Sequence, residues 1–194
     1  MKRLLVSACL LGQPVRYDGE SNENKVNQLA EQLRQWQQQG RIIAVCPEVA
    51  GGLTTPRPAA EIQGGDGHDV LDGKAKVITN QGDDVTAEFT SGAEHALALA
   101  QKYQATAALL AARSPSCGTG RIYNGAFQRQ LTEGDGVTVA LLQRHGIQCF
   151  SPDDHAQLSE LPPAYIAGFG DASNATAFDF NFYIGYKLFC KSYQ

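Results

Sequence analysis

The 194-residue chain has no long apolar run and no cluster of basic residues. None of its apolar stretches approaches the ~20 residues that a membrane-spanning helix needs, so we expect no membrane association. With 16 basic and 20 acidic residues, the chain carries a net charge of -4. It lacks the basic footprint of a nucleic-acid-binding protein, and we expect no nucleic-acid polymer among its partners.

Close cysteine pairs are also absent, although the chain has five cysteines. An odd number without CxxC spacing favours free or metal-bound thiols over disulfides. The apolar stretch Leu4–Leu11 runs directly into glycine, proline and charged residues. It therefore fits a buried first strand better than a signal peptide. We predict a cytoplasmic protein on these grounds.

What the chain does have is an alternation of apolar strands and amphipathic helices. Strands are predicted over Arg3–Ala8, Arg41–Val45, Ala107–Ala112 and Ile147–Phe150. Helices are predicted over Glu23–Gln39 and Gly136–His145, and a further helix is predicted to start between Thr86 and Ser91. Such alternation predicts a three-layer α/β fold with a mainly parallel sheet.

Between these elements the sequence predicts irregular segments and small turns. They are a long loop over Pro47–Glu61, a hairpin over His68–Thr79 turning at Asp72-Gly73, a capping box from Ser91 and Glu94, and a second hairpin turning at Asn124-Gly125. Glycine, proline and Asx-Gly pairs are the signals behind these predictions.

The composition changes after residue 154, and we divide the chain into a domain over residues 1–154 and a tail over 155–194. The tail is rich in Phe and Tyr among small polar residues, without clear periodicity. Two roles for it remain open, a contact with a second copy of the chain and an intramolecular lid.

Three cysteines occupy equivalent places in this pattern. Cys9, Cys46 and Cys117 each lie at or just beyond the end of a predicted strand. Parallel strands gather their carboxyl ends at one edge of a sheet, where ligands bind. Three thiolates meeting there form a soft-metal or cluster site with one vacant position. Cys149 and Cys190 are predicted to be structural, although Cys149 is close enough to a strand end to be a reserve ligand.

Polar residues beside these cysteines are the candidates for chemistry and substrate binding. Glu48, two residues after Cys46, is a general acid or base or simply a solvated carboxylate. Ser114 and Ser116 either face the site or bond their own turn. Arg16 and Tyr17 form either a substrate-binding loop or an ordinary polar turn. Arg57 either binds an anion or a carbonyl group, or pairs with an acidic residue.

The same residues form an ordered set of motifs. In chain order, the motifs are SACLLG followed by RYDG, CPE followed by GGLxxPRxxAE, then DVTxxFxxGA, SPSCG followed by IYxGxF, and finally GVTxALL. This set resembles the bacterial thiouracil desulfidase family over about residues 2–152. Arg113 departs from it, because a lysine is common before SPSCG in the family.

The resemblance implies a Rossmann-like core and a [4Fe–4S] cluster held by Cys9, Cys46 and Cys117. It also implies catalytic roles for Glu48 and Ser114. The substrate class is a thiolated pyrimidine base, which is converted to uracil and hydrogen sulfide. The open iron of the cluster is expected to act as a non-redox Lewis acid.

Two other functions compete with this one. The first is a non-catalytic module that binds a metal or sulfide through the same thiols. The second is a hydrolase that uses a zinc ion on those thiolates. The motifs do not distinguish among 2-thiouracil, 4-thiouracil and a thiolated nucleoside.

Overall fold

The computed structural model describes residues 3–159, in which short strands alternate with helices. The strands are β1 (Leu4–Ser7), β2 (Ile42–Val45), β3 (Ala60–Gln63), β4 (Lys76–Thr79), β5 (Ala107–Leu109), β6 (Arg121–Tyr123), β7 (Leu131–Glu133) and β8 (Gln148–Phe150). The helices are α1 (Ala30–Gln38), α2 (Pro47–Ala50), α3 (Gly67–Leu71), α4 (Thr86–Lys102), α5 (Val137–Arg144) and α6 (His155–Ser159). Short 3-10 helices cover Ala8–Leu11, Glu23–Leu29 and Pro152–Asp154.

The central sheet has four parallel strands in the order β2-β1-β5-β8. Its inner strand β1 is buried along its whole length, as expected of a strand covered on both faces. The helices flank this sheet, and the predicted three-layer α/β Rossmann-like fold with a mainly parallel sheet is confirmed.

Helix α4 packs with small side chains toward the interior. Ala93, Ala96 and Ala100 are fully buried on it, and Phe89 is nearly so. They are the residues that the 3.6-residue period predicts for the inner face. The helix begins at Thr86, so the predicted capping box at Ser91 is wrong because that serine lies inside the helix.

Two other predictions are corrected around the small β3–β4 sheet. The predicted hairpin over His68–Thr79 is wrong, because its first part forms α3 and β4 instead pairs with β3 in antiparallel register. Asp66 and Asp69 form a reciprocal capping box that starts α3. The predicted loop over Pro47–Glu61 is also more ordered than expected, since it begins with α2 and ends in β3.

The remaining elements differ from prediction mainly in their ends. The helix expected over Glu23–Gln39 is a 3-10 segment followed by α1, with a kink at Val26. The second predicted hairpin is confirmed as the antiparallel pair β6–β7, although residues 124–130 make its connection longer than a two-residue turn.

At the carboxyl-terminal end of the described residues, α6 places Leu158 in the main core, where it is fully buried. The part of the predicted aromatic tail beyond residue 159 lies outside the described residues. Among residues 3–159, no helix has the length and apolar character needed to span a bilayer.

Candidate functional site

The three strand-end cysteines lie at the carboxyl ends of neighbouring strands. Cys9 follows β1 in a 3-10 turn, and Cys46 follows β2 directly as the residue before α2. Cys117 lies in the loop after β5. Since β1 lies between β2 and β5, the turn that carries Cys9 is flanked on both sides by the segments that carry the other two. All three are free thiols.

These thiols share one electrostatic environment. Burial raises the pKa of Cys9 to about 12, and the negative charges of Cys46 and Glu48 add to the shift. Burial likewise raises the pKa of Cys117 to about 12, with further contributions from Glu48 and Cys9. The pKa of Cys46 is raised by burial and by the charge of Glu48. Deprotonating one thiol therefore opposes deprotonation of the next unless a cation compensates.

Cys117 is the most enclosed of the three, and a network of hydroxyl groups surrounds its sulfur. The Ser7 hydroxyl donates to Cys117 Sγ over 3.6 Å and accepts from the Ala111 N–H at 3.0 Å. Ser116 Oγ lies 3.7 Å from the same sulfur and 2.9 Å from the Thr138 hydroxyl. Ser116 is only 1% exposed, so the structure places it against the sulfur and away from the surface.

Ser114 organises the turn that carries Cys117. Its Oγ accepts hydrogen bonds from the backbone N–H groups of Cys117 (2.8 Å) and Ser116 (3.2 Å). These two bonds occupy the oxygen lone pairs, so the hydroxyl proton is available to donate elsewhere.

The same turn is fixed to the start of α5. The carbonyls of Pro115 and Ser116 accept the N–H groups of Val137 and Thr138 at 2.8 and 2.9 Å. A Cβ at Gly136 would lie 2.4 Å from the Ser116 carbonyl oxygen, so this contact requires glycine.

Glu48 lies in the first turn of α2 and is paired with Arg57. The Nε and Nη2 atoms of Arg57 both contact Glu48 Oε2, at 2.8 and 2.7 Å. Arg57 is 5% exposed and Glu48 17%. Arg57 Nη2 also donates to the Val15 carbonyl at 3.1 Å, and Cys46 Sγ donates to that carbonyl at 3.7 Å. The structure therefore joins Cys46, Glu48 and Arg57 in one polar cluster, in which Arg57 contacts both an acid and a backbone carbonyl.

Close backbone packing fixes the position of α2. A Cβ at Gly51 would lie 1.9 Å from the Glu88 carbonyl oxygen, and one at Gly92 would lie 2.0 Å from the Pro47 carbonyl oxygen. No side chain fits between the two backbones at these points, so α2 rests directly on α4. This contact holds the segment that carries Cys46 and Glu48.

The loop of Arg16 and Tyr17 lies beside the thiols at the surface. Arg16 binds the Asp18 carboxylate at 2.7 and 3.1 Å and also donates to Asn22. Tyr17 is 46% exposed. The backbone carbonyl of Tyr17 accepts the backbone N–H of Arg57 at 2.9 Å. The positive charge of Arg16 acts on Cys9, where it lowers the thiol pKa and partly offsets the effect of burial.

Cys149 lies apart from this group. It is half-buried in the edge strand β8, and its sulfur donates to the Ile147 carbonyl at 3.6 Å. Burial, with the charge of Asp135, raises its pKa to about 12. Cys190 lies outside the described residues.

Two polar residues of the site have no counterpart in the sequence prediction, Ser7 and Thr138. A signal for Ser7 was available, since a lone hydroxyl in a fully apolar strand must find a hydrogen-bond partner inside the protein. Thr138 had no such signal, because its role depends on the packing of α5 against the Cys117 turn.

Comparison with known proteins adds three relationships. The family model described as 2-thiouracil desulfurase matches residues 4–154. A Bacillus subtilis (strain 168) protein, the uncharacterized protein YbbK, is 42% identical over 151 residues, which are 78% of this chain and 96% of that protein. The solved structure of the [4Fe-4S]-dependent thiouracil desulfidase TudS is 50% identical with a TM-score of 0.72, and covers 82% of this chain and 96% of its own.

Proposed function

The chain belongs to the 2-thiouracil desulfurase family, and we propose that it removes sulfur from a thiolated pyrimidine with a [4Fe–4S] cluster on Cys9, Cys46 and Cys117. One observation carries the proposal. Three thiols lie at one sheet edge, those of Cys9 and Cys117 buried and that of Cys46 half-buried, and the charge of Glu48 raises the pKa of all three. A solved relative at 50% identity is a [4Fe-4S]-dependent thiouracil desulfidase.

The donor set fits an iron–sulfur cluster better than a single zinc ion. Soft thiolates are the usual ligands of such clusters, and each thiolate binds a different iron. A zinc ion instead requires its sulfurs to converge within ~2.3 Å of one point. Among residues 3–159, no three Cys, His, Asp or Glu side chains are arranged to hold one metal ion. The thiolate donor set and the [4Fe-4S] dependence of the relative at 50% identity favour the cluster over a zinc-dependent hydrolase.

The reaction exchanges a carbon–sulfur bond for a carbon–oxygen bond at the same oxidation level. A thiouracil and one water give uracil and hydrogen sulfide, with no net electron transfer. When bound, the cluster supplies a Lewis-acidic iron that polarises the thiocarbonyl group. The protein must then activate the water and return a proton to the departing sulfur.

Glu48 is the proposed base that takes the proton from water. Both contacts from Arg57 go to Oε2, and no hydrogen bond from the described residues reaches Oε1. Charge-assisted hydrogen bonds to one oxygen fix the carboxylate and leave the other free to accept a proton. Ser114, whose hydroxyl proton is uncommitted, is the proposed donor that orients the water or relays the proton.

Arg16 and Tyr17 are the proposed substrate contacts at the surface side. The exposed Tyr17 ring offers a face on which a planar base stacks, and Arg16 offers donors to a base carbonyl. Arg57 and Ser116 have supporting roles in this proposal. Arg57 is nearly buried against Glu48, and Ser116 lies behind Cys117.

The test is a Glu48→Gln variant assayed for both cluster and turnover. We expect a normal iron and sulfide content after anaerobic reconstitution, with sulfide release from 2-thiouracil lowered at least a hundred-fold, as for loss of a general base. A Glu88→Gln variant, changed on α4, is the matched control. Retained turnover in Glu48→Gln contradicts the assigned base, whereas a parent protein that binds the cluster but never releases sulfide is the non-catalytic module.

A further inference from the structure

A small cavity lies behind the Glu48–Arg57 pair. Its volume is about 100 Å³. It is lined by Glu48, Leu53, Arg57, Pro58, Ala60, Thr79, Asp83, Val85 and Phe89. None of the three cysteines lines it, and two of its lining residues, Pro58 and Asp83, are exposed. The cavity thus extends from the surface to the carboxylate without passing the thiols.

Four of the nine residues that line the cavity are polar or charged. Glu48, Arg57, Thr79 and Asp83 provide polar groups, and the rest of the wall is apolar. A water molecule needs only ~10–15 Å³ of such volume and two to four polar partners. The cavity therefore has room for several water molecules, and four of its lining residues offer them hydrogen-bonding partners.

Glu48 is the residue of this lining that lies nearest to a cysteine along the chain, two positions after Cys46 in the first turn of α2. Arg57 holds Glu48 Oε2 through two contacts. Arg57 also donates to the Val15 carbonyl, which accepts the hydrogen bond of Cys46 Sγ as well. The carboxylate is therefore the boundary between the cavity and the proposed cluster site.

We propose that this cavity is the route by which the hydrolytic water reaches Glu48, separate from the route of the base. The inference rests on the proposed function, in which each turnover consumes one water. That water loses a proton to Glu48, and its oxygen becomes the new carbonyl oxygen of uracil. The two protons of the water leave with the sulfur as hydrogen sulfide. A base seated at the site blocks water from its own side, whereas a second entrance keeps the carboxylate supplied.

The test fills the cavity without touching its polar groups. Ala60→Leu and Val85→Phe enlarge side chains on its wall, Ala59→Leu is the control at the neighbouring residue outside it, and Ala60→Ser leaves the volume almost unchanged. We expect kcat for 2-thiouracil to fall at least ten-fold in both filling variants. Ala59→Leu and Ala60→Ser should stay within two-fold of the parent protein.

Two further measurements distinguish a blocked water route from a loss of folding or of cluster binding. Iron content after reconstitution and the Kd for 2-thiouracil, measured in a Glu48→Gln background, should remain within two-fold. An unchanged kcat in both filling variants overturns the proposal. A ten-fold higher Kd with kcat retained also overturns the proposal, because it would mean that the pyrimidine itself occupies the cavity. Failure of the parent protein itself to release sulfide refutes the proposed function instead.

Discussion

Replacing Arg57 tests how much the ion pair between Arg57 and Glu48 contributes to the stability of the folded protein. In Arg57→Met the two contacts to Glu48 Oε2, at 2.7 and 2.8 Å, are lost together with the hydrogen bond to the Val15 carbonyl. The arginine is 5% exposed and its partner 17%. Glu48 is then left largely desolvated and without its counter-charge.

The expected cost follows from this burial. Breaking a buried ion pair from one side costs about 3–5 kcal/mol, and the residual exposure of Glu48 places the expected value near the lower end, at about 3 kcal/mol. For a protein of this size that corresponds to a fall in Tm of about 6–12 °C. The double variant Arg57→Met with Glu48→Gln should recover at least half of the loss, because it removes the unpaired charge.

Urea unfolding of the cluster-free protein provides the measurement. Arg34→Met is the control, since Arg34 forms an exposed pair with Glu31 at 2.8 Å and exposed pairs contribute little. We expect no resolvable change there. A cost for Arg57→Met below about 1 kcal/mol, or a double variant no more stable than the single one, would refute the claim that the pair is a coupled unit.

The Ser114 hydroxyl, the contact between α2 and α4, and the buried thiols can each be tested separately. Ser114→Ala should lower kcat per bound cluster about a hundred-fold. Ser114→Thr, which keeps an oxygen to accept the Cys117 N–H, should restore at least a tenth of the activity; equal rates per cluster in all three proteins would exclude a chemical role for the hydroxyl. Gly92→Ala places a Cβ 2.0 Å from the backbone of α2, and should lower both Tm and cluster content, while Ala87→Gly on the exposed side of the same helix should leave cluster content unchanged. In the cluster-free protein the pKa values of Cys9 and Cys117 are raised from 9.0 to about 12, so their contribution to stability is complete below about pH 9 and is lost as the pH rises toward about 12. Thermal unfolding across that window should show this loss with a smaller slope in Cys117→Ala, and equal slopes in the two proteins would contradict it.

The sheet and its cysteines were predictable from sequence because both depend on local pattern. Apolar runs end at Cys9 and Cys46, and the parallel arrangement of α/β sheets brings such ends to one edge. The strand before Cys117 places its loop at the same edge, but the turn that carries the thiol is fixed by Ser114 and by the start of α5. The strand ends themselves needed no knowledge of tertiary contacts beyond the fold class.

The parts that prediction missed depend on contacts between distant segments or on competing local signals. Asp72-Gly73 is a hairpin signal, but the capping box of Asp66 and Asp69 starts a helix before it. The Glu48–Arg57 pair spans an irregular segment without periodicity. The glycine contact between α2 and α4 is visible only when both backbones are placed.

A Cys46→Ala variant removes one of the three cysteines proposed to hold the cluster on which desulfidation depends. Cys149→Ala is the matched control, because Cys149 is also half-buried but lies in the edge strand β8, away from the site. After anaerobic reconstitution, iron content and sulfide release from 2-thiouracil are measured on the same samples. About four iron atoms per chain and full activity are expected in Cys149→Ala, and both are expected to be lost in Cys46→Ala. Sulfide release by Cys46→Ala at the parental rate would show that desulfidation does not depend on this ligand.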